Sequence, residues 1–175
     1  MAHPEQREFF TKVRNLWPEA FQDARVLEIG SLNINGTVRD FFTGCDYVGV
    51  DVQAGPGVDF VCEGQLLDYP DNSFDVAVSA ECFEHNPYWL ETFENMVRMS
   101  DGWVLFTCAS DGRDEHGTTR TTPQDSPFTL EWDYYRNLNE QDFRDAFDFS
   151  VFDICWFDVN RTSCDLYFVG RLAVN

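Results

Sequence analysis

Lysine is almost absent from this sequence: Lys12 stands beside eleven arginines, and 31 acidic residues oppose those 12 cations for a formal charge of -19. A field of that sign repels polyphosphate, and no stretch clusters its arginines, so nucleic acid is disfavoured as a partner. A solvated acidic surface with so little lysine also suits a protein working in high salt. Long apolar runs are missing too. No segment approaches the roughly 20 apolar residues of a membrane span, and MAHPEQREFFTKVRNLW has no signal-peptide core, so a cytoplasmic protein with no membrane partner is expected. The cysteines at 45, 62, 82, 108, 155 and 164 include no C-x-x-C pair. Most fall in apolar strand-like runs and read as buried free thiols, not as disulfides or metal ligands.

Apolar volume is plentiful. Hydrophobic residues make up 43% of the 175, seventeen of them Phe, which supplies a core for one domain spanning 1–175. Phe9, Phe10, Val13, Leu16 and Trp17 follow helical spacing and predict an N-terminal helix within 1–22. Strands are predicted at RVLEIG (25–30), DYVGVDV (46–52), DFVCE (59–63), FDVAVSA (74–80) and WVLFTC (103–108). The residues 37–42 read as the first turns of a helix. Pro87 opens a second helix with a Leu90, Phe93, Met96, Val97 stripe, and Asn139 caps a third over 138–147. Residues 150–159 and 163–173, joined by a short turn, form a hairpin. Between 111 and 137 lies a long loop without period, of the kind that more often carries function than not. Strands alternating with helices before a terminal antiparallel hairpin describe an α/β fold with a mostly parallel sheet.

Such sheets bind ligands at the carboxyl ends of their strands. Gly30 permits a sharp turn after the first strand, and Asn35-Gly36 a second. Asp51 ends the second strand, where a carboxylate can accept both hydroxyls of a ribose. A pyrophosphate loop needs a second glycine, and that position holds Leu32. A nucleoside without phosphates does not need it, which weakens but does not remove a nicotinamide cofactor.

VLEIGSLNING, YVGVDV, CEGQLLDYPDNSFDVAVSAECFEH and GWVLFTC stand in this order between Val26 and Cys108. In that order and spacing the chain resembles the class I S-adenosylmethionine-dependent methyltransferases, in particular their small-molecule branch. The resemblance implies a Rossmann-like three-layer sandwich with a seven-stranded, mostly parallel sheet and a C-terminal antiparallel hairpin. It implies S-adenosyl-L-methionine as cofactor, with Glu28 and Gly30 at the methionine end, Asp51 on the ribose, Glu63 and Gly64 at the adenine, and Ala80 and Glu81 near the sulfonium. Ser31, Gly36 and Val52 complete that expected set.

Methyl transfer to oxygen or nitrogen positions an acceptor and removes one proton. His85 and His116 are the candidate bases, because imidazole titrates near neutrality. His3, in a terminus read as frayed, is set aside. Arg120, Tyr134 and Tyr135 in the long loop are candidate contacts to a polar or ring-bearing acceptor. Asp111, Asp114, Glu115 and His116 match no metal-binding spacing, and no metal is expected. The expected function is methyl transfer to a small molecule, such as an oxygen of a sugar or natural product. The alternative is a cofactor-binding module or partner subunit without transfer, and a homodimer is left open.

Overall fold

A computed structural model describes residues 3–174. The chain forms α1 (Pro4–Leu16), β1 (Arg25–Ile29), β2 (Asp46–Asp51), β3 (Phe60–Val61), β4 (Phe74–Ala80), α2 (Trp89–Met99), β5 (Ser100–Ala109), α3 (Glu140–Ala146), β6 (Phe152–Asn160) and β7 (Asp165–Leu172). The seven strands make one sheet in the order β3-β2-β1-β4-β5-β7-β6. β3 through β5 run parallel, while β7 is antiparallel to both β5 and β6. This is the Rossmann-like, seven-stranded and mostly parallel sheet expected from the sequence, with its terminal hairpin folded so that the last strand lies inside.

Alternation along the central strands feeds two cores, because successive side chains of a strand point to opposite faces. Val26, Val76, Val78 and Leu105 pack beneath α1, whose Phe9, Phe10 and Val13 are buried. Leu27, Ile29, Ala77 and Phe106 pack on the other face against Phe93 and Met96 of α2 and Phe143 of α3. Glu28 shares the α1 face and is buried there.

Local chemistry sets the ends of the helices. Pro18 has no amide to continue α1, so the chain turns through a 3-10 segment, Pro18–Phe21, where the sequence alone suggested more helix. Asn139 accepts from Asp142 N while the Asp142 carboxylate accepts from Asn139 N, a capping box at the start of α3. Residues 37–42 form only a single 3-10 turn, Val38–Phe41. The preceding SLNING segment has used the length a helix would need, and Gly44 at φ +70° turns the chain into β2. Pro87 lies before α2 instead of opening it. The six cysteines are free, but only Cys108 is buried, and Cys155 is exposed, because these thiols fall at strand ends and sheet edges.

His3 is not frayed. It N-caps α1, its Nδ1 accepting from Gln6 N, and its Nε2 lies 3.0 Å from the buried Asp165.

Candidate active site

β1 and β4 are neighbours, and the strand order reverses between them. The crevice at their carboxyl ends is where such sheets bind ligands. Gly30 follows β1 at φ +81°, where a Cβ would fall 2.7 Å from Cys82 Cβ, so no other residue fits without displacing the segment after β4. Gly30 N and Ser31 N both donate to Val50 O, which binds this turn to β2. Asp51 ends β2 and its carboxylate accepts from Leu32 N at 2.9 Å and Val52 N at 2.8 Å. Its oxygens keep lone pairs for further donors. Burial raises Asp51 despite those two amides.

A narrow cleft opens here. Gly30, Asp51, Ala80, Glu81 and His85 line one side. Leu32, Ile34 and Phe128 supply an apolar slot beside Asp51. Residues 125–129 of the long loop close over it as a strap. Gln53 Nε2 donates to Phe128 O at 3.4 Å, and the Phe128 ring lies so near Gly55 that a Cβ there would meet it at 2.9 Å. A smaller cavity continues toward α1 past Glu28, Ser31, Gly36 and Gln6.

Buried acids border this space. Glu28 accepts the Tyr47 hydroxyl at 2.8 Å, and burial pushes it up to about 7. Glu81 stands at φ +53° directly after β4, and its Oε1 accepts from Thr107 Oγ1 at 2.8 Å. Its Oε2 and the Ser31 Oγ are buried without a partner. A carboxylate with lone pairs to spare, two further acids, unpaired buried oxygens and an apolar slot suit a nucleoside that carries a cationic amino acid.

The sequence profile described as "Methyltransferase domain" matches residues 1–141. The chain belongs to this methyltransferase family. No curated protein matches the sequence. Among solved structures, the fold is similar to Haemonchus contortus phosphoethanolamine N-methyltransferase 2 in complex with S-adenosyl-L-methionine, with 14% identity and a TM-score of 0.66 over 95% of this chain and 53% of that one. It is similar also to a SAM-dependent methyltransferase from Aquifex aeolicus, with 14% identity, 0.56, and 98% and 94% covered. A chain of the Haloferax volcanii complex containing the Trm112 methyltransferase activator gives 15%, 0.62, and 97% and 92%. Identities this low support the fold. Membership supports the chemistry: the domain is a methyltransferase and S-adenosylmethionine is its cofactor.

Of the residues expected to hold this cofactor, Glu28, Gly30, Ser31, Gly36, Asp51, Ala80 and Glu81 line the two cavities, which share Gly30, Leu32 and Ala80, and Val52 sits against the Asp51 carboxylate. Glu63 and Gly64 do not line them. Glu63 is held by Gln65 Nε2 at 2.6 Å, and Gly64 is a packing glycine whose Cβ would meet Thr92 and Ile29 of the α2 face. Arg120 also lies elsewhere, paired on the surface with Glu115 and Asp133. Tyr134 is half-buried, and Tyr135 packs on His85 and His116 at ring distances of 5.6 and 5.0 Å.

His85 is buried at the cavity wall, and its desolvation, with His116 beside it, pushes it down to about 3. It is a neutral imidazole and a weak base. Sequence reasoning missed Phe128, Gln6 and Thr107. The apolar Phe128 amid the polar run TTPQDSP was the available signal for a strap that packs inward.

Proposed function

We propose that this methyltransferase domain acts on a small molecule, moving the methyl group to an oxygen of a sugar or natural-product hydroxyl. The observation that carries the reading is that the domain's own loop, 125–129, closes over the cavity shared by Asp51, Glu81 and His85. A cavity roofed in this way and surrounded by net negative charge admits a small neutral or cationic acceptor more readily than a nucleic acid.

Bound S-adenosylmethionine supplies an electrophilic methyl group. Asp51 would hold the ribose hydroxyls, Leu32, Ile34 and Phe128 the adenine ring, and Glu81 the cationic end. Displacement at the methyl carbon needs the acceptor in line with the departing sulfur, so positioning carries much of the catalysis. His85, at the cavity wall, would orient the acceptor. A cytoplasmic setting agrees with the free thiols, and a small acceptor is the one partner the reading requires.

Incubation with methyl-labelled S-adenosylmethionine and a panel of sugars and phenols should place label in the small-molecule fraction. Label confined to amines would refute the oxygen assignment, and label confined to protein or nucleic acid would refute the small acceptor.

A further inference from the structure

Beneath the strap, three side chains that the cofactor does not need converge. Glu84, His85 and His116 each offer one ligand atom, and these lie within 4.8 Å of one another. Glu84 is 0% and His85 2% exposed. Both Glu84 carboxylate oxygens, both His85 nitrogens and His116 Nε2 are buried without a hydrogen-bond partner. Folded proteins pair roughly 90% or more of such atoms, and leaving one unpaired costs about 1–3 kcal/mol. Five at one point therefore mark a site built for something that satisfies several at once.

The orientation of His116 narrows what that is. Its Nδ1 lies 3.1 Å from Asp114 O, and a carbonyl only accepts, so Nδ1 donates and Nε2 is the nitrogen left to ligate, its lone pair facing inward in the neutral ring. A backbone carbonyl that accepts from the other ring nitrogen in this way is the usual partner of a metal-binding histidine. Tyr135 donates to the same carbonyl at 3.2 Å and packs on both imidazoles. Gly117, at φ +64°, lets the loop backbone close on His85, where a Cβ would fall 2.7 Å from Cε1. Of the charges around the trio, Arg113 directs its Nη1 to Ser163 O and Asp165. Of the neighbouring acids, Asp111 accepts from Asn139 and Glu115 from Thr118 and Arg120, while Glu81, whose charge acts on Glu84, holds its Oε1 to Thr107.

We propose that Glu84, His85 and His116 bind a divalent transition-metal ion of the zinc type at the border of the methyl-acceptor cavity. Two imidazoles and one carboxylate suit zinc, iron or cobalt and not the all-oxygen preference of calcium or magnesium. A tetrahedral ion with bonds of about 2.0–2.2 Å holds its ligands about 3.4 Å apart, so modest side-chain rotations close the trio around it. His85 belongs both to the trio and to the cavity wall.

The consequence for catalysis rests on the methyl-transfer reading above. An acceptor hydroxyl bound at the open position loses its proton to solvent more easily. Its oxygen then forms a bond to the methyl carbon while the sulfur–carbon bond breaks, the electron pair returning to sulfur to leave the neutral thioether.

The test uses the whole chain without cofactor, so it does not depend on transfer. In equilibrium dialysis against zinc or cobalt, the wild type should retain one ion per chain, and Glu84→Gln and His116→Ala should each weaken retention by at least about ten- to a hundred-fold. His3→Ala should retain the ion, which separates this trio from His3, Glu81 and Asp165, a second group with ligand atoms in reach of each other. Because a variant can fail to fold, the wild type is also read directly. With histidine labelled at its ring nitrogens, zinc should shift two of the three imidazoles and leave His3 unchanged. No retained ion, unshifted imidazoles at 85 and 116, or a shift at His3 alone would overturn the proposal. S-adenosylmethionine binding without metal binding would overturn the metal site alone, and the reverse would overturn the cofactor reading alone.

Discussion

At the scale of the residue, Glu28 shows how the site trades stability for chemistry. It is buried on the α1 face of β1 with one hydroxyl partner, and burial pushes it up to about 7 from an ordinary 4.5. A carboxyl raised in the folded state favours folding fully below the unfolded value, and that contribution is lost as pH rises through 4.5 to about 7. The shift corresponds to about 3 kcal/mol. Glu28→Gln keeps an acceptor for Tyr47 and removes the charge. Urea unfolding should therefore find it about 3 kcal/mol more stable than the wild type at pH 8 and no more stable at pH 4. Equal differences at both pH values would show that Glu28 ionises freely in the fold. Asp51 makes a different prediction. Its carboxylate receives Leu32 N and Val52 N and offers its remaining lone pairs to the cofactor. Asp51→Asn should weaken S-adenosylmethionine binding roughly ten- to a hundred-fold, the worth of one or two hydrogen bonds to a charged group, as read by calorimetric titration.

At the scale of the element, α2 reaches the core through Phe93, whose ring lies 5.1 to 6.5 Å from those of Phe83, Phe106, Phe143, Phe147, Phe149 and Phe168. Phe93→Ala removes the hub of that cluster and should cost about 3–5 kcal/mol in urea unfolding, whereas a cost below about 1 kcal/mol would mean the cluster repacks. The stripe that predicted this helix is plain in the sequence, and so are the α3 cap at Asn139 and the strand ends at Gly30 and Asp51. Each of these rests on neighbours along the chain. What lies between distant segments was harder to read. The hairpin was visible, but not that β7 sits between β5 and β6. The unbroken apolar run LYFVG against the alternating FDICWFDVN was the sign that β7 is the inner strand, covered on both faces. Glu63 and Gly64 had the expected spacing, yet neither lines the two cavities; Glu63 accepts from Gln65 and Gly64 packs against Thr92. The meeting of His116 with His85 depends on a loop with no period that folds back through Gly117, and no local pattern encodes it.

At the scale of the molecule, the charge of -19 acts on everything. The Arg–carboxylate pairs along the surface, such as Arg25–Asp75 and Arg171–Asp153, are exposed and screened by solvent, so they add little stability. Self-repulsion of the net charge is the larger effect, and salt screens it over about 10 Å at 0.1 M and 3 Å at 1 M. The Tm should therefore rise with sodium chloride across that range, and a fall would mean that the ion pairs dominate. The same field surrounds a cavity lined by Asp51 and Glu81 and suits a cofactor bearing a sulfonium and an ammonium group. That match is the centre of the account. Calorimetric titration of the wild type with S-adenosylmethionine, its demethylated product and NAD tests it most directly. The account predicts saturable binding of the first two at one site per chain, weakened by Asp51→Asn, and none of NAD. Absence of binding by both sulfur nucleosides, or identical binding by the Asp51 variant, would contradict it.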